Sequence, residues 1–269
     1  MTKTRRLIEA DLKMVDAVVE ITDARIPESS RNPILDELVK DKPRIILMNK
    51  CDYADETATR AWKQYYEKKG IRVLTCDCRS GKGLNAFLPE VKRLLAELIE
   101  RRKKRGMIGK ALRLMVVGIP NVGKSSFINR MAKTKKTKVG DKPGVTRGKQ
   151  WVSIDKDVEL LDMPGILWPK FDDQLAAQRL AFTGAIKDDV MDTEALARAL
   201  GAVLKEQYPE LLNARYKLTG DEDILRDIAK SRGMLVSGGE PDTERAAAAL
   251  LDEYRGGKIG RITLEKPGR

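Results

Sequence analysis

Apolar and polar positions alternate along the first 165 residues in a way that separates short strands from longer helices. Four apolar runs rich in valine, isoleucine and leucine predict strands, and amphipathic stretches with helical spacing lie between them. This alternation is typical of parallel strands joined by crossover helices. The predicted strands are DAVVEITDA (16–24), RIILMNK (44–50), IRVLTCD (71–77) and LRLMVVG (112–118).

The stretches between and after these strands predict helices and one hairpin. The helical stretches are NPILDELVK, TATRAWKQYYEKKG, LNAFLPEVKRLLAELIERRKK and SSFINRMAK. WVSID and VELLDMPG follow the last of them and predict a β-hairpin. We therefore predict an α/β domain and place it at residues 1–170.

The pattern changes near residue 171, where small and apolar residues recur at intervals of three and four. The stretches that show this spacing are DDQLAAQRLAFTGAI, TEALARALGAVLKEQY, EDILRDIAKSRG and TERAAAALLDEYRGG. The turn residues SGGEP (237–241) separate the last two. Residues 171–269 are therefore predicted to form a smaller, all-α domain.

Composition narrows the class of protein. No stretch approaches the about 20 apolar residues that span a bilayer, and the start MTKTRRLIEADLK lacks the apolar core of a secretory signal. We therefore expect a cytoplasmic protein without a membrane partner. The three cysteines lack the spacing of a zinc site, and the chain has no histidine, so the commonest general base is absent.

Positive charge is concentrated in two segments. The formal net charge is +12, and residues 99–113 and 131–150 each hold seven Lys or Arg against one acid. Such segments favour a phosphate-rich partner through counterion release. A solvated linker and a solvated loop explain the same charge, and the charge alone does not separate the two interpretations.

A phosphate-binding loop follows the fourth predicted strand. Gly118, Gly123, Lys124 and Ser125 match the pattern GxxxxGK[ST] between a strand and a helix. The glycines let backbone amides converge on phosphate oxygens at the positive end of the helix. Lys124 is expected to neutralise the β- and γ-phosphates, and the Ser125 hydroxyl to ligate Mg²⁺.

A guanine-reading signature lies earlier in the chain, at the end of the second predicted strand. In NKCD, the Asp52 carboxylate can accept from the ring N–H and the exocyclic amine of guanine together, an arrangement that adenine lacks. Asn49 is expected at the guanine carbonyl edge, and the stem of Lys50 over the ring. Two alternatives remain: a strand-end turn in which Asn49 and Asp52 cap the next helix, or an ATPase with a fortuitous NKCD.

Three further segments complete a recognisable set. DMPG (162–165) resembles the DxxG motif, Thr146 in DKPGVTRG resembles the switch threonine, and CRSGKG (78–83) stands where a base-supporting loop belongs. The order of the motifs is a circular permutation of the usual GTPase order. The chain resembles the YlqF/YawG family of circularly permuted GTPases. The resemblance implies a Ras-like P-loop fold, a three-layer α/β sandwich, in the permuted order.

The resemblance also implies the residues of the site. The residues expected to bind the nucleotide are Asn49, Lys50, Cys51, Asp52, Asp77, Cys78, Asn121, Val122, Gly123, Lys124, Ser125, Ser126 and Gly165. Mg²⁺ is expected on Ser125, Thr146 and, through water, Asp162. Asn121 resembles the asparagine of K⁺-stimulated GTPases, although an amide that only shapes the loop is an equal alternative. The groups expected to act in catalysis are Lys124, Thr146 and Gly165.

One expected catalytic group is missing from the chain. In Ras-like enzymes a glutamine after DxxG orients the attacking water, and here that position is Ile166. The resemblance assigns the task to a histidine in a short N-terminal FPGH segment, and this sequence starts where that segment would end. We expect that the natural start is omitted.

The function that the resemblance implies is that of a bacterial assembly factor. It binds GTP and GDP, and it hydrolyses GTP slowly unless the particle stimulates it. It contacts the precursor of the large ribosomal subunit and its rRNA through the helical domain, residues 171–269, and through the basic loops. We expect a monomer off the ribosome whose segment after DMPG lets the nucleotide state orient the helical domain. A nucleotide-gated RNA-binding module with negligible hydrolysis is the alternative. Asp23 and Arg25 in DARIP either meet RNA or switch residues, or form a structural pair.

Overall fold

The computed structural model of the chain describes most of its length. The described residues are 2–39, 42–107, 109–133, 150–165, 173–186, 192–220 and 223–268, without the side chains of residues 2–4 and 7. The Thr146 segment, Ile166 and the connection at residue 170 lie outside these ranges.

A single sheet forms the first half of the protein. Its strands are β1 (Ala17–Asp23), β2 (Arg44–Asn49), β3 (Arg72–Thr75), β4 (Leu112–Val117), β5 (Gln150–Asp155) and β6 (Val158–Asp162). They lie in the order β3-β2-β1-β4-β6-β5, and only β5 runs antiparallel to its neighbour. The four predicted strands and the predicted hairpin are therefore confirmed.

Helices cover both faces of this sheet. They are α1 (Thr2–Leu12), α2 (Pro33–Leu38), α3 (Glu56–Lys68), α4 (Phe87–Leu94), α5 (Ala96–Lys104) and α6 (Lys124–Lys133). Apolar side chains of α1, α2 and α3 pack on one face, and those of α4 and α6 on the other. This is the expected three-layer sandwich. The stretch predicted as one helix after residue 84 is divided, because Leu95 leaves helical geometry between α4 and α5.

The parallel strands end at one edge of the sheet. In the register of the sheet, Asp23 of β1 lies beside Asn49 of β2, and Asp162 of β6 lies beside Val116 of β4. The phosphate loop begins directly after β4. Because ligands of open α/β sheets bind at the carboxyl ends of the strands, this edge is where a site is expected.

The second half of the chain is helical, as predicted. Its helices are α7 (Gln174–Phe182), α8 (Thr193–Gln207), α9 (Pro209–Tyr216), α10 (Ile224–Arg232) and α11 (Thr243–Arg255). An aspartate side chain caps the first turn of every one of these except α9, which begins at a proline. Among the described helices, none is both long and apolar enough to cross a membrane. The domain boundary itself stays a prediction.

The last described residues leave the helical part and return to the sheet. The Leu264 amide donates to the Arg25 carbonyl over 2.8 Å, and the Trp62 ring N–H donates to the Glu265 carbonyl over 3.0 Å. The sequence pattern did not predict this extended segment, because it assigned the whole C-terminal part to a helical domain.

Glu253 of α11 joins three helices of the C-terminal part. Its carboxylate accepts two hydrogen bonds from Arg215, at 2.8 and 2.7 Å, one from the Tyr216 hydroxyl at 2.8 Å, and contacts Arg232 at 3.3 Å. The hydrogen bonds from Arg215 are the largest cause that lowers the pKa of Glu253, which falls to about 2. The ionised form therefore stabilises the fold.

We expect Glu253→Gln to lower the free energy of unfolding by about 1 to 3 kcal/mol at neutral pH, because three donors lose a charged acceptor. The folded pKa of about 2 lies below the ordinary 4.5, so this contribution is complete above 4.5 and is lost as the pH falls towards 2. Urea unfolding over this pH range checks the prediction. Glu244→Gln, an exposed position on the same helix, is the control, and equal losses in both variants would contradict it.

Candidate nucleotide-binding site

The phosphate loop connects β4 to α6 and is shaped by two glycines. A Cβ at Gly118 would lie 2.7 Å from the Ile21 carbonyl oxygen. Gly123 has a φ of 106°, and a Cβ there would lie 2.2 Å from the Asn49 amide nitrogen. Only glycine fits both positions, so the pattern matched in the sequence is required by close approach of neighbouring loops.

Asn49 connects three loops at the edge of the sheet. Its Nδ2 donates to the Val122 carbonyl of the phosphate loop over 2.7 Å, and its Oδ1 accepts from the Cys78 amide over 2.9 Å. The side chain is buried, at 4% exposure. The three cysteines, Cys51, Cys76 and Cys78, are free thiols.

Lys50 is held by a buried carboxylate of the neighbouring strand. It has a φ of 60°, a conformation that non-glycine residues adopt mainly where the surroundings impose it. Its Nζ lies 2.9 Å from the Asp23 Oδ2. Burial opposes ionisation of Asp23, but the charges of Arg25 and Lys50 outweigh it and hold the pKa of the carboxyl far below its usual range.

Arg25 completes this charged cluster. Its guanidinium pairs with Asp23 at 2.8 and 3.0 Å and donates to the carbonyls of Tyr254 and Arg255 at the end of α11. Arg25 is 1% exposed. This burial leaves the Arg25 side chain no exposed surface for RNA in this conformation and agrees with the structural pair, whereas the switch residues lie outside the described residues.

A cavity of about 220 Å³ opens between these loops. The predicted residues in its wall are Asn49, Lys50, Asp52, Asp77, Cys78, Asn121, Gly123 and Ser126. Of the other described members of the prediction, Cys51 and Val122 lie in the same loops, Lys124 and Ser125 at the start of α6, and Gly165 in the DMPG segment after β6. Tyr53 and Arg79 also line the cavity. The prediction missed these two because nothing in the four-residue signature or the loop after it points to them.

Asp52 supplies an acceptor that nothing in the described protein uses. Its Oδ1 is buried without a hydrogen-bond partner among the described residues, and its Oδ2 lies 3.9 Å from the Arg79 guanidinium. A buried carboxylate oxygen without a donor is costly unless a ligand supplies one. The paired N–H groups of guanine fit this requirement.

Asp77 lines the cavity and also stabilises the turn of the loop that contains Cys78. Its carboxylate accepts from the amides of Arg79 and Ser80 over 2.8 and 3.2 Å. Burial opposes ionisation, but the hydrogen bonds from Ser80 and Arg79 outweigh it and lower the pKa of Asp77. The ionised carboxylate thus holds the turn from which Cys78 reaches Asn49.

Lys124 lies at the opposite end of the site. Its Nζ donates to the carbonyls of Gly118 and Ile119 over 3.0 and 2.8 Å, so it closes the loop on itself. Burial lowers the pKa of Lys124 to about 8, against the opposing effect of Asp162. A Cβ at Gly165 would lie 2.9 Å from this Nζ. The DMPG segment therefore packs against the phosphate loop.

The oxygen ligands present fit a magnesium ion. Ser125 offers an exposed hydroxyl in the first turn of α6, and Asp162 a buried carboxylate at the end of β6. Hydroxyl, carboxylate and phosphate oxygens are the donors that Mg²⁺ prefers. Among the described residues, no cluster of three or more His, Cys, Asp or Glu could hold a metal by itself. Thr146 lies outside the described residues.

Asn121 connects the phosphate loop to the helical part. It has a φ of 58°, and its Nδ2 donates to the Gly184 carbonyl, two residues after α7, over 2.6 Å. The contact uses the amide nitrogen and leaves the oxygen for another partner. The K⁺ role of this residue stays a prediction.

Comparison with known proteins agrees with the motif order. The family model described as a 50S ribosome-binding GTPase matches residues 113–214, starting at the strand before the phosphate loop. Ribosome biogenesis GTPase A of Bacillus licheniformis is 47% identical over 99% of this chain and 96% of its own length. The protein of the same name from Thermotoga maritima is 34% identical over 98% of this chain and 91% of its own.

Solved structures give the same family. The structure of GNP-bound YlqF from T. maritima matches with a TM-score of 0.65 at 30% identity, over 98% of each chain. A GDP-bound YlqF matches with a TM-score of 0.68 at 29% identity, over 97% of this chain and 99% of that one. The resemblance found in the motifs is confirmed. The chain belongs to the ribosome biogenesis GTPase A family of circularly permuted GTPases.

Proposed function

We propose that the protein binds and hydrolyses GTP in late assembly of the large ribosomal subunit, and that its nucleotide state gates its binding to the precursor particle. The proposal rests on the cavity between the NKCD loop and the phosphate loop. One Asp52 carboxylate oxygen there has no hydrogen-bond donor among the described residues, and the Asn49 side chain connects the two loops. The names of the relatives, ribosome biogenesis GTPase A, supply the process.

Base recognition is assigned to the NKCD loop. Asp52 accepts the two guanine N–H groups, and Asn49 faces the carbonyl edge from its position between the loops. Lys50, held by Asp23, lies along the ring with its aliphatic stem. A site built on such polar pairs rejects adenine, because adenine would leave the Asp52 oxygen without a donor.

Phosphate binding is assigned to the loop before α6. The positive end of this helix and the converging loop amides favour the phosphate oxygens. Lys124 would exchange the Gly118 and Ile119 carbonyls for β- and γ-phosphate oxygens. Ser125, Thr146 and, through water, Asp162 would hold Mg²⁺, which would supply charge neutralisation at the same phosphates.

The sequence lacks both side chains expected to orient the water that attacks the γ-phosphate, a glutamine after DMPG and a histidine. Ile166 stands after DMPG, and the sequence contains no histidine. Hydrolysis by the isolated chain is therefore slow, and the group that orders the water comes from outside the described residues or from the ribosomal particle. This feature also supports the alternative of a nucleotide-gated RNA-binding module with negligible hydrolysis.

Two contacts support the gating part of the proposal. Gly165 packs on Lys124 before the segment that leads to α7, and Asn121 bonds to Gly184 after that helix. The residue before the connecting segment and a residue just after α7 therefore both touch the phosphate loop. A γ-phosphate that moves Lys124 or Gly165 would act directly on the position of α7.

An rRNA-binding surface is provided by the end of α5. Within the described part of the chain, Arg101, Lys104 and Arg105 are exposed and have no acidic partner within salt-bridge distance. In the helical part, by contrast, Arg198, Arg215 and others pair with carboxylates. Unpaired cations bind phosphates with less loss of existing contacts, so the α5 surface contributes more to RNA affinity than the paired arginines.

We expect Asp52→Asn to lower affinity for GDP by at least about 100-fold and to shift preference towards xanthosine diphosphate, because the amide donates where the carboxylate accepted. Fluorescence titration with labelled GDP, competed by unlabelled GDP, XDP and ADP, measures the shift. Asp242→Asn, at the cap of α11 far along the chain, is the control. Competition by ADP as strong as by GDP in the wild-type protein would instead support an ATPase.

Nucleotide gating predicts that the protein binds large ribosomal subunits at least about tenfold more tightly with a non-hydrolysable GTP analogue than with GDP, a coupling of ordinary size. Co-sedimentation with purified subunits measures this ratio. Single-turnover hydrolysis in the same mixtures should be faster than for the protein alone. Equal affinity for the subunit with GDP and with the GTP analogue would contradict nucleotide gating. Hydrolysis that stays negligible with subunits would favour the RNA-binding module.

A further inference from the structure

The chain end contacts the base-reading loop at its backbone. Arg261 lies more than 200 residues after NKCD, yet its Nε donates to the Ala54 carbonyl over 2.9 Å and its Nη2 to the Cys51 carbonyl over 3.0 Å. Its Nη1 lies 3.4 Å from Glu56 of α3. The planar guanidinium therefore spans the loop that carries Asp52, from one side of that residue to the other.

Neighbours of Arg261 continue the same contact. The Ile262 amide donates to the Tyr53 carbonyl over 2.8 Å, and the Asp55 amide donates to the Thr263 hydroxyl over 3.1 Å. Three backbone carbonyls and one amide of residues 51–55 thus bond to residues 261–263. The loop presents Asp52 on one side while its backbone is held from the other, and we call residues 257–265 the C-terminal tail.

Gly257 sets how closely the C-terminal tail approaches. It has a φ of 68°, and a Cβ there would lie 2.5 Å from the Tyr53 ring. Any other residue would push against Tyr53, which lines the cavity. The C-terminal tail therefore packs closely against the loop at a position that requires glycine.

We infer that the C-terminal tail positions the guanine-reading loop, with Arg261 as a positioning residue for base recognition; the inference rests on the proposed function. Arg261 is not among the residues that line the cavity. It fixes the carbonyls of Cys51 and Ala54, and with them the place at which Asp52 presents its carboxylate. Binding of the correct base and docking of the tail then favour each other, because linkage is reciprocal.

A merely structural role for Arg261 makes a different prediction. If Arg261 only stabilises the fold, its loss lowers the melting temperature and weakens all nucleotides alike. If Arg261 positions Asp52, its loss mainly weakens the hydrogen bonds between Asp52 and the base. Inosine diphosphate (IDP) separates these two roles. It lacks the exocyclic amine that would donate to the Asp52 carboxylate, and is otherwise identical to GDP.

The test compares the full chain with Arg261→Ala, Arg261→Lys and the control Arg245→Ala, an exposed arginine of α11. We expect Arg261→Ala to weaken GDP binding by about tenfold and IDP binding by less, so that the preference for GDP over IDP falls. Arg261→Lys should recover only part of this, because an ammonium cannot bond both carbonyls in one plane. Arg245→Ala should change neither affinity. Calorimetric titration gives the affinities, and melting without nucleotide reports the stability of each variant.

A double-mutant cycle with Asp52→Asn adds a second readout: the effect of Arg261→Ala on GDP binding should shrink towards onefold once Asp52 is changed. Equal weakening of GDP and IDP, additive effects in the cycle, or GDP affinity unchanged by Arg261→Ala would each overturn the inference while leaving the proposed function intact. Failure of the wild-type chain to bind GDP would overturn the proposed function, and this inference with it.

Discussion

The two hydrogen bonds of the Asn49 side chain hold the site together. One reaches the Val122 carbonyl of the phosphate loop, and the other receives the Cys78 amide of the base-supporting loop. Both are buried, so the contact cannot be exchanged for water without loss. Gly123 leaves the space in which the Asn49 amide sits. The NKCD loop and the phosphate loop are therefore fixed to each other through one side chain, although Asn49 and Val122 are 73 residues apart in the chain.

This arrangement explains why the permuted order of motifs is compatible with an ordinary guanine-nucleotide site. The carboxyl ends of parallel strands lie at one edge of the sheet, whatever the order of the strands along the chain. Contacts across that edge, and not the sequence of connections, define the site. The permutation places the helical part after DMPG in the chain, and the final described residues return to the loop of Asp52.

The sequence predicted what depends on local pattern. Strands, most helices, the phosphate loop and NKCD carry signals within a few residues, and the parallel sheet then places them at one edge. Contacts between distant segments carried no such signal. The bonds of Arg261 to the NKCD loop and of Asp23 to Lys50 depend on packing of whole elements, and so does the break of the long helix at Leu95. Family resemblance supplied the process, which no local pattern shows.

The most direct test of the Asn49 connection is the affinity of Asn49→Asp for GDP. The carboxylate keeps the shape of the amide and an acceptor for Cys78, but it turns an oxygen towards the Val122 carbonyl. We predict at least about 100-fold weaker GDP binding, because a buried charge then faces an acceptor. Asn85→Asp, at an exposed position, should bind as the wild-type protein does. Binding by Asn49→Asp within about twofold of the wild type would contradict the account, since such a change is too small for a lost buried hydrogen bond.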